Sequence, residues 1–214
     1  MIEIFFDCSS PWTYLAFHGV RQLAAELDVE VAFRPILVGG IFNTTNPSVY
    51  AWRAKPVPAK ARYLDKDLQD WARLYGLKIK MPPSVFPVNS VKVMRGCIYL
   101  GRSGRLVDFA TAAFETYWGD DLDISKDEVI ATVLARAGGI DEAAFFAGIT
   151  RDDVKAELRA NTAEVMERGG FGSPTFFVDG TDMYFGNDRL ALIRDAVLRD
   201  STPAGRASRA GGTT

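Results

Sequence analysis

Ser10-Pro11-Trp12-Thr13 stands where a short β-prone run, residues 2–6, gives way through Asp7-Cys8-Ser9 to a helical pattern. The start of a helix offers unpaired N–H groups and the positive end of a dipole, and together these stabilise an anion, a sulfur anion included. Ser10 and Thr13 are spaced as the two thiols of a redox-active C-x-x-C pair would be, yet both are hydroxyls. Dithiol exchange therefore has no nucleophile in this loop. Ser10 can be read as a plain N-cap ahead of Pro11, whose missing N–H would be unpaired in the first turn anyway. A hydrolase role fails for want of a base, because His18, the single histidine, lies eight residues along the same helix. That places it about 12 Å away. A chemical Ser10 is left with one task, donating a hydrogen bond to a thiolate that the protein does not itself carry. That task requires a thiol cofactor.

The elements that must position this loop are legible in outline. Leu15, Ala16, Val20, Leu23, Ala24 and Leu27 recur at helical spacing after Pro11, and "VEVAFRPILV" then reads as a second strand, parallel to the first. From Gly39, "GGIFNTTNPSVYAWRAKPVP" reads as a Gly-, Asn- and Pro-punctuated loop, followed by about a hundred residues of helical pattern. Leu64, Leu68, Trp71 and Tyr75 form one stripe; Leu106, Phe109, Ala110, Ala113, Phe114 and Tyr117 form another. Ser125 with Glu128 predicts a capping box at the start of a further helix. After a polar helix near residues 152–168, "GGFGSPTFFVDG" predicts a strand headed by a proline, an Asp-Gly turn and a second strand at 183–185, paired as a hairpin. Asn187 then caps a closing helix, and "STPAGRASRAGGTT" reads as a disordered tail over 201–214. The order βαβ, helical insertion, ββα is that of an α/β thioredoxin-like fold, built from residues 1–38 and 165–200, with an all-helical insertion domain at 39–164.

Composition narrows the function classes. The 214 residues are 48% hydrophobic and 24% charged, enough apolar material for a compact core. With 25 basic and 27 acidic residues, the net charge of −2 provides no basic stripe for a phosphate backbone, so no nucleic acid partner is expected. Glu3 and Asp7 interrupt any signal-peptide core, and no apolar run reaches the roughly 18 residues that span a bilayer. A cytoplasmic protein without a membrane partner is the expectation. Cys8 and Cys97 are distant in sequence and offer neither a zinc site nor a disulfide framework; no metal is expected. Cys8 reads as a small buried hydrophobe or a reactive neighbour of Ser10, and Cys97, sharing a face with Met94 and Ile98, as core.

Five strings, "FFDCSSPWTYLA", "VPAKARYLDKDLQDWARLYG", "FPVNS" ahead of "KVMRG", "GGFGSPTFFVDG" and "FGNDRL", occur in the order seen in 2-hydroxychromene-2-carboxylate isomerases. The chain resembles that family, and the related kappa-class glutathione transferases, within the DsbA-like thioredoxin superfamily. The resemblance runs from about residue 2 to 198. It implies glutathione as cofactor, with its sulfur near Ser10 and with Pro11 and Trp12 beside it, and a thiolate that adds reversibly to the substrate to permit isomerisation about a carbon–carbon bond. It further implies a cis peptide at Pro174, with Ser173 offering backbone N–H and C=O to the glutathione peptide. Asn187 and Asp188 match the γ-glutamyl recognition pair, and Lys60 a lysine near glutathione or the substrate carboxylate. Read from residue type alone, Asn187 and Asp188 are helix caps and Lys60 a solvated surface cation.

For the substrate, Asn46 is the candidate in the family's binding loop, with Asn43 competing, because "NTTNPSVYAWRAKPVPAK" departs from the family's shorter Asn-Gln-Pro-Pro form. Trp12 is the first candidate for aromatic contact, while Trp52, Trp71 and Trp118 fit packing. The function expected is a glutathione-dependent isomerase acting on a small aromatic carboxylate, as a homodimer in the resembled families. A kappa-class-like transferase and a non-catalytic DsbA-like binding module are the alternatives.

Overall fold

The computed structural model describes residues 1–200; the tail expected at 201–214 lies outside them. Strand β1 (Ile2–Phe6) is apolar at four of five positions and buried along its whole length, which is why it lies inside the sheet and not at an edge. It pairs parallel with β2 (Val31–Pro35), Ile4 opposite Phe33, and antiparallel with β3 (Thr175–Val178), Ile4 opposite Phe176. Strand β4 (Asp182–Phe185) completes the order β2-β1-β3-β4. The turn between β3 and β4 places Asp179 at φ 47° and Gly180 at φ 80°, the positive φ values of a primed turn closed by Thr181 N–H to Val178 C=O, and Thr181 makes the loop three residues long, not two, because Val178 pairs with Asp182.

Helix α1 (Pro11–Leu27) returns the chain from β1 to β2, with Pro11 in its first turn and Asp28 ending it in the left-handed conformation. Between β2 and β3 run α2 (Val38–Thr44), α3 (Ser48–Ala54), α4 (Pro58–Tyr75), α5 (Val91–Gly101), α6 (Leu106–Phe114), a π-type turn (Glu115–Gly119), α7 (Asp127–Arg136), α8 (Glu142–Ile149) and α9 (Asp152–Glu167). After β4, a single 3₁₀ turn (Asn187–Arg189) leads into α10 (Leu190–Asp200). Among the described residues no helix is long and apolar enough to cross a membrane.

Side-chain alternation along β1 divides the packing. Ile2, Ile4 and Phe6 join a core that extends without a break through α1 and α5–α8, whereas Phe5 meets Ile36, Ile41, Val165 and Phe177 on the other face, under α2 and α9. Burial of each such ring or branched chain stabilises by about 1.5–3 kcal/mol. Glu3 shares the Phe5 face and is 7% exposed. Its carboxylate is satisfied there by both Arg168 guanidinium nitrogens, at 2.7 and 3.2 Å, and Arg168 lies 3.6 Å from the Phe177 ring centre. At Gly19 a methyl group would fall 2.5 Å from Leu190 and 2.7 Å from the Tyr75 hydroxyl, so the absence of a side chain lets α1, α4 and α10 close on one another.

Three local expectations are corrected. The stretch from Gly39 is not a plain loop but holds α2 and α3, because Val38 and Ile41 are buried and tertiary packing overrides the low helix propensity of Gly39-Gly40. Helix α7 begins at Asp127 with Lys126 at its N-cap and no side-chain cap, so Ser125 stands one residue too early for a capping box, and its N–H goes instead to Asp123 Oδ1 at 3.0 Å. The first turn relies on Asp127 and Glu128 against the helix dipole. The expected helical run is also interrupted at residues 76–90, an irregular segment tied down by Lys80 N–H to Trp118 C=O (2.8 Å) and Gln69 Nε2 to Ile79 C=O (3.2 Å).

Candidate active site

Three chain segments converge at the start of α1. The first is the β1–α1 loop. Ser10 is the N-cap of α1, with φ −109° and ψ 125°, and its Oγ accepts the Thr13 N–H at 3.2 Å. The second holds Ser173 and Pro174, joined by a cis peptide as the resemblance implies. The Ser10 hydroxyl donates to the Ser173 carbonyl, but at 3.4 Å, long for an O–H···O bond. Its proton can therefore be redirected to a better acceptor at small expense. The third segment is Gly186–Asp188, held beside the cis proline by Gly186 N–H to Pro174 C=O at 3.2 Å and packed, through the 3₁₀ turn, on α1. Gly186 adopts φ 107°, and a methyl there would lie 2.7 Å from Asp188 Oδ1. Glycine sets the approach of that turn.

Beneath Ser10 lies Asp7, 1% exposed. Its Oδ1 accepts the Ser9 N–H and its Oδ2 the Val38 N–H, both at 2.9 Å, which fastens the β1–α1 loop to the start of α2. Burial pushes the Asp7 carboxyl above the usual range, against these N–H groups and the Ser90 hydroxyl, which pull it down. The Asp7 N–H donates to Ser173 Oγ at 3.1 Å, and that oxygen is 2.8 Å from Thr13 Oγ1. The Trp118 indole N–H, in the π-type turn, donates to Cys8 C=O at 3.0 Å. Trp118 thus forms packed floor and is no surface for stacking.

Ser10, Pro11, Ser173, Pro174, Asn187 and Asp188 are brought together. Asn187 opens the 3₁₀ turn instead of capping a helix; it is 4% exposed, and among the described residues its buried Nδ2 has no hydrogen-bond partner. Asp188 pairs with Arg189 at 2.8 Å on the surface. Trp12 is half-buried against the core. Lys60 is exposed on the first turn of α4, and among the described residues no hydrogen bond or ion pair draws it to Ser10. Asn46 spends its side chain locally, Nδ2 donating to Phe171 C=O at 3.2 Å and Oδ1 accepting from the Ser48 hydroxyl at 2.7 Å, while Asn43 accepts from the Tyr50 hydroxyl at 2.7 Å. His18 contacts Gln22 and the Tyr75 ring, away from Ser10.

Two features escaped the sequence reading. Cys8 and Cys97, both fully buried, interact with each other, and burial first and then the Cys97 contact push the Cys8 thiol up. Their separation in sequence hid this. The second is Asp7, which the sequence presents only as an interruption in an apolar run; a carboxylate directly after a buried strand is the available signal.

Chemically, the arrangement presents a hydroxyl donor with a weakly held proton at the positive end of a seventeen-residue helix, an edge of backbone at the cis proline, and a buried amide with hydrogens to give. It fits a small anionic thiol peptide. The DsbA-like thioredoxin domain family matches residues 1–198. A 2-hydroxychromene-2-carboxylate isomerase from Pseudomonas sp. (strain C18) is 30% identical over 202 residues, covering 92% of this chain and 90% of that protein. Glutathione S-transferase kappa 1 from Rattus norvegicus is 26% identical over 205 residues, covering 90% and 88%. A solved 2-hydroxychromene-2-carboxylate isomerase superposes with a TM-score of 0.76 at 27% identity, covering 92% of this chain and 94% of the other. The chain belongs to the DsbA-like thioredoxin family, among the 2-hydroxychromene-2-carboxylate isomerases and the related kappa-class glutathione transferases.

Proposed function

We propose that the chain is a glutathione-dependent isomerase acting on a small aromatic carboxylate of the 2-hydroxychromene-2-carboxylate kind. The observation that carries this reading is the Ser10 hydroxyl, held at the N-terminus of α1 by a good cap bond and only loosely committed to Ser173. When bound, glutathione supplies a thiolate nucleophile that can add to and leave a conjugated carbon. The residues present fit it. Ser10 donates its hydroxyl proton toward the sulfur position, and the helix dipole favours negative charge there. Ser173 offers backbone N–H and C=O for the peptide. The unpartnered Asn187 amide supplies hydrogens to a carboxylate, and Asp188 can exchange its exposed Arg189 partner for an ammonium. Lys60 would meet an outer carboxylate. Neither Ser10 nor Thr13 can form a mixed disulfide, so the bound sulfur stays available for addition.

The cytoplasmic homodimer implied by the resemblance belongs to the same reading, and sedimentation velocity tests the dimer. Calorimetric titration with glutathione, followed by product analysis with 2-hydroxychromene-2-carboxylate, tests the activity. The expected result is saturable glutathione binding and an isomerised product with all glutathione returned. Consumption of glutathione into a conjugate would mean a transferase instead, and no glutathione binding would leave a binding module.

A further inference from the structure

The segment that the sequence presented as a loop holds a charged side chain among aromatic rings. The Arg53 guanidinium, on α3, lies 5.4 Å from the ring centre of Phe42 on α2 and 5.3 Å from that of Phe86 in the irregular segment 76–90. Those rings hold the cation by its charge. Among the described residues no carboxylate pairs with Arg53 and no oxygen accepts from its N–H groups, in a chain where most other arginines are paired.

Both rings border the site. Phe42 stands 3.8 Å from where a side chain on Gly172 would begin, one residue before Ser173, and Phe86 packs edge-on to Trp118 with centres 6.4 Å apart. Trp118 in turn holds the Cys8 carbonyl, two residues before Ser10. Phe42 and Phe86 therefore reach toward the site through Gly172 and through Trp118, and Arg53 lies between the two rings. Phe171 and Phe185, ring centres 4.4 Å apart and each more than a third exposed, extend the same aromatic border past Gly172. Rings left open beside a site that binds a polar peptide call for a flat apolar ligand. A planar guanidinium with a free fork of donors calls for a carboxylate.

We propose that Arg53 is the specificity-determining residue for the substrate, taking the carboxylate of an aromatic acid whose ring lies on the exposed aromatic border of Phe86, Phe171 and Phe185. The proposal rests on the isomerase reading for its aromatic carboxylate and adds the side chain that selects it. Asn46 and Lys60 are weaker candidates, the first because its hydrogen bonds are spent on Phe171 and Ser48, the second because, among the described residues, no ring lies over its ammonium as Phe42 and Phe86 do over Arg53.

The test uses two stable probes, chromone-2-carboxylate and the uncharged chromone, titrated calorimetrically into the full chain with and without glutathione. Arg53→Gln is expected to weaken chromone-2-carboxylate by about tenfold or more and chromone by less than about twofold. Arg53→Lys keeps the charge but not the fork and should fall between. Lys55→Gln removes a neighbouring exposed charge and should shift neither probe by more than about twofold. Absence of chromone-2-carboxylate binding by the unmodified chain, an equal loss of both probes in Arg53→Gln, or an equal effect of Lys55→Gln overturns the proposal. Glutathione affinity, measured on the same samples, reports on the isomerase reading separately, because the two-probe contrast is read without glutathione as well as with it.

Discussion

Thr13 Oγ1 and Ser173 Oγ lie 2.8 Å apart and join the first turn of α1 to the residue ahead of the cis proline. Thr13 is wholly buried and Ser173 is 8% exposed, so neither hydroxyl can fall back on water. Ser173 Oγ also takes the Asp7 N–H at 3.1 Å. Two of the three site segments are thus held by a single hydroxyl, and the position that carries the second sulfur in a dithiol enzyme has become a structural tie.

Removing that hydroxyl tests how much the tie contributes. Ser173→Ala orphans the Asp7 N–H and the Thr13 hydroxyl, each at about 1–3 kcal/mol, so a loss of about 2–6 kcal/mol is expected. In a chain of this size that lowers the melting temperature by roughly 4–24 °C. Thr13→Val removes one bond only and leaves the Asp7 N–H satisfied, so it should cost less. Equal melting temperatures for Ser173→Ala and the unmodified chain would show that the network adds nothing to stability.

How far the sequence revealed this arrangement depends on whether the signal was local. The Ser10 cap with Pro11 in the first turn, the parallel β1–β2 pair and the Asp-Gly hairpin are short-range statements about sterics and periodicity, and the structure has all three. The α7 capping box failed because the helix starts one residue later, with Lys126 at the N-cap, and Asp123, two residues upstream, takes the Ser125 N–H. Helices α2 and α3 failed because burial of Val38 and Ile41 is a tertiary fact invisible in a Gly-rich string. Arg53 was hidden for the same reason: its neighbours Phe42 and Phe86 come from different elements. So was the Cys8–Cys97 contact, which joins the β1–α1 loop to α5 across the core.

Asp7 predicts a pH dependence whose sign can be worked out. Its carboxyl is raised above 3.8 in the folded chain, by burial first. Below that ordinary value both folded and unfolded chains carry the proton and the group contributes no slope. Above it the unfolded chain ionises first and binds fewer protons, so this group's contribution to stability falls with rising pH until the folded carboxyl has also ionised. Asp7→Asn cannot titrate, and its amide also replaces one of the two acceptors for the Ser9 and Val38 N–H groups. The expected outcome is a lower melting temperature at acid pH, where Asp7 is neutral, with a shallower decline as pH rises above about 4. Parallel melting curves against pH for the two proteins would remove Asp7 as the titrating group.

The cysteines predict redox inertness. Cys8 is fully buried and its thiol is pushed up by burial and by the Cys97 contact, so the thiolate that attacks a disulfide is scarce. Ser10 and Thr13 supply no sulfur. Turbidity in an insulin-reduction assay with excess dithiothreitol should rise no faster than in the protein-free control. Faster precipitation that disappears in Cys8→Ala would show that Cys8 reaches substrate after all.

The last expectation concerns the Ser10 hydroxyl. A thiol with pKa about 8.5 is about 3% ionised at pH 7, and lowering it by two units makes it about three-quarters ionised. A charge-assisted hydrogen bond contributes about 1.5–3 kcal/mol and one pKa unit corresponds to about 1.4 kcal/mol, so this donor alone accounts for about one to two units. The bond that Ser10 gives up to Ser173 is 3.4 Å long, so little is lost when the proton turns toward sulfur. Ser10→Ala also removes the cap bond to Thr13, at about 1 kcal/mol, which leaves the chain folded with a melting temperature lower by roughly 2–4 °C. In that variant glutathione should still bind, the ultraviolet absorbance of the bound thiolate should titrate about one to two pH units higher, and turnover at pH 7 should fall about tenfold, with activity recovering as pH rises. Ser10→Thr keeps both hydroxyl and cap and should restore most of the titration shift. An unchanged thiolate titration in Ser10→Ala would reduce Ser10 to a helix cap, because a hydroxyl that stabilises the anion must move its pKa when removed.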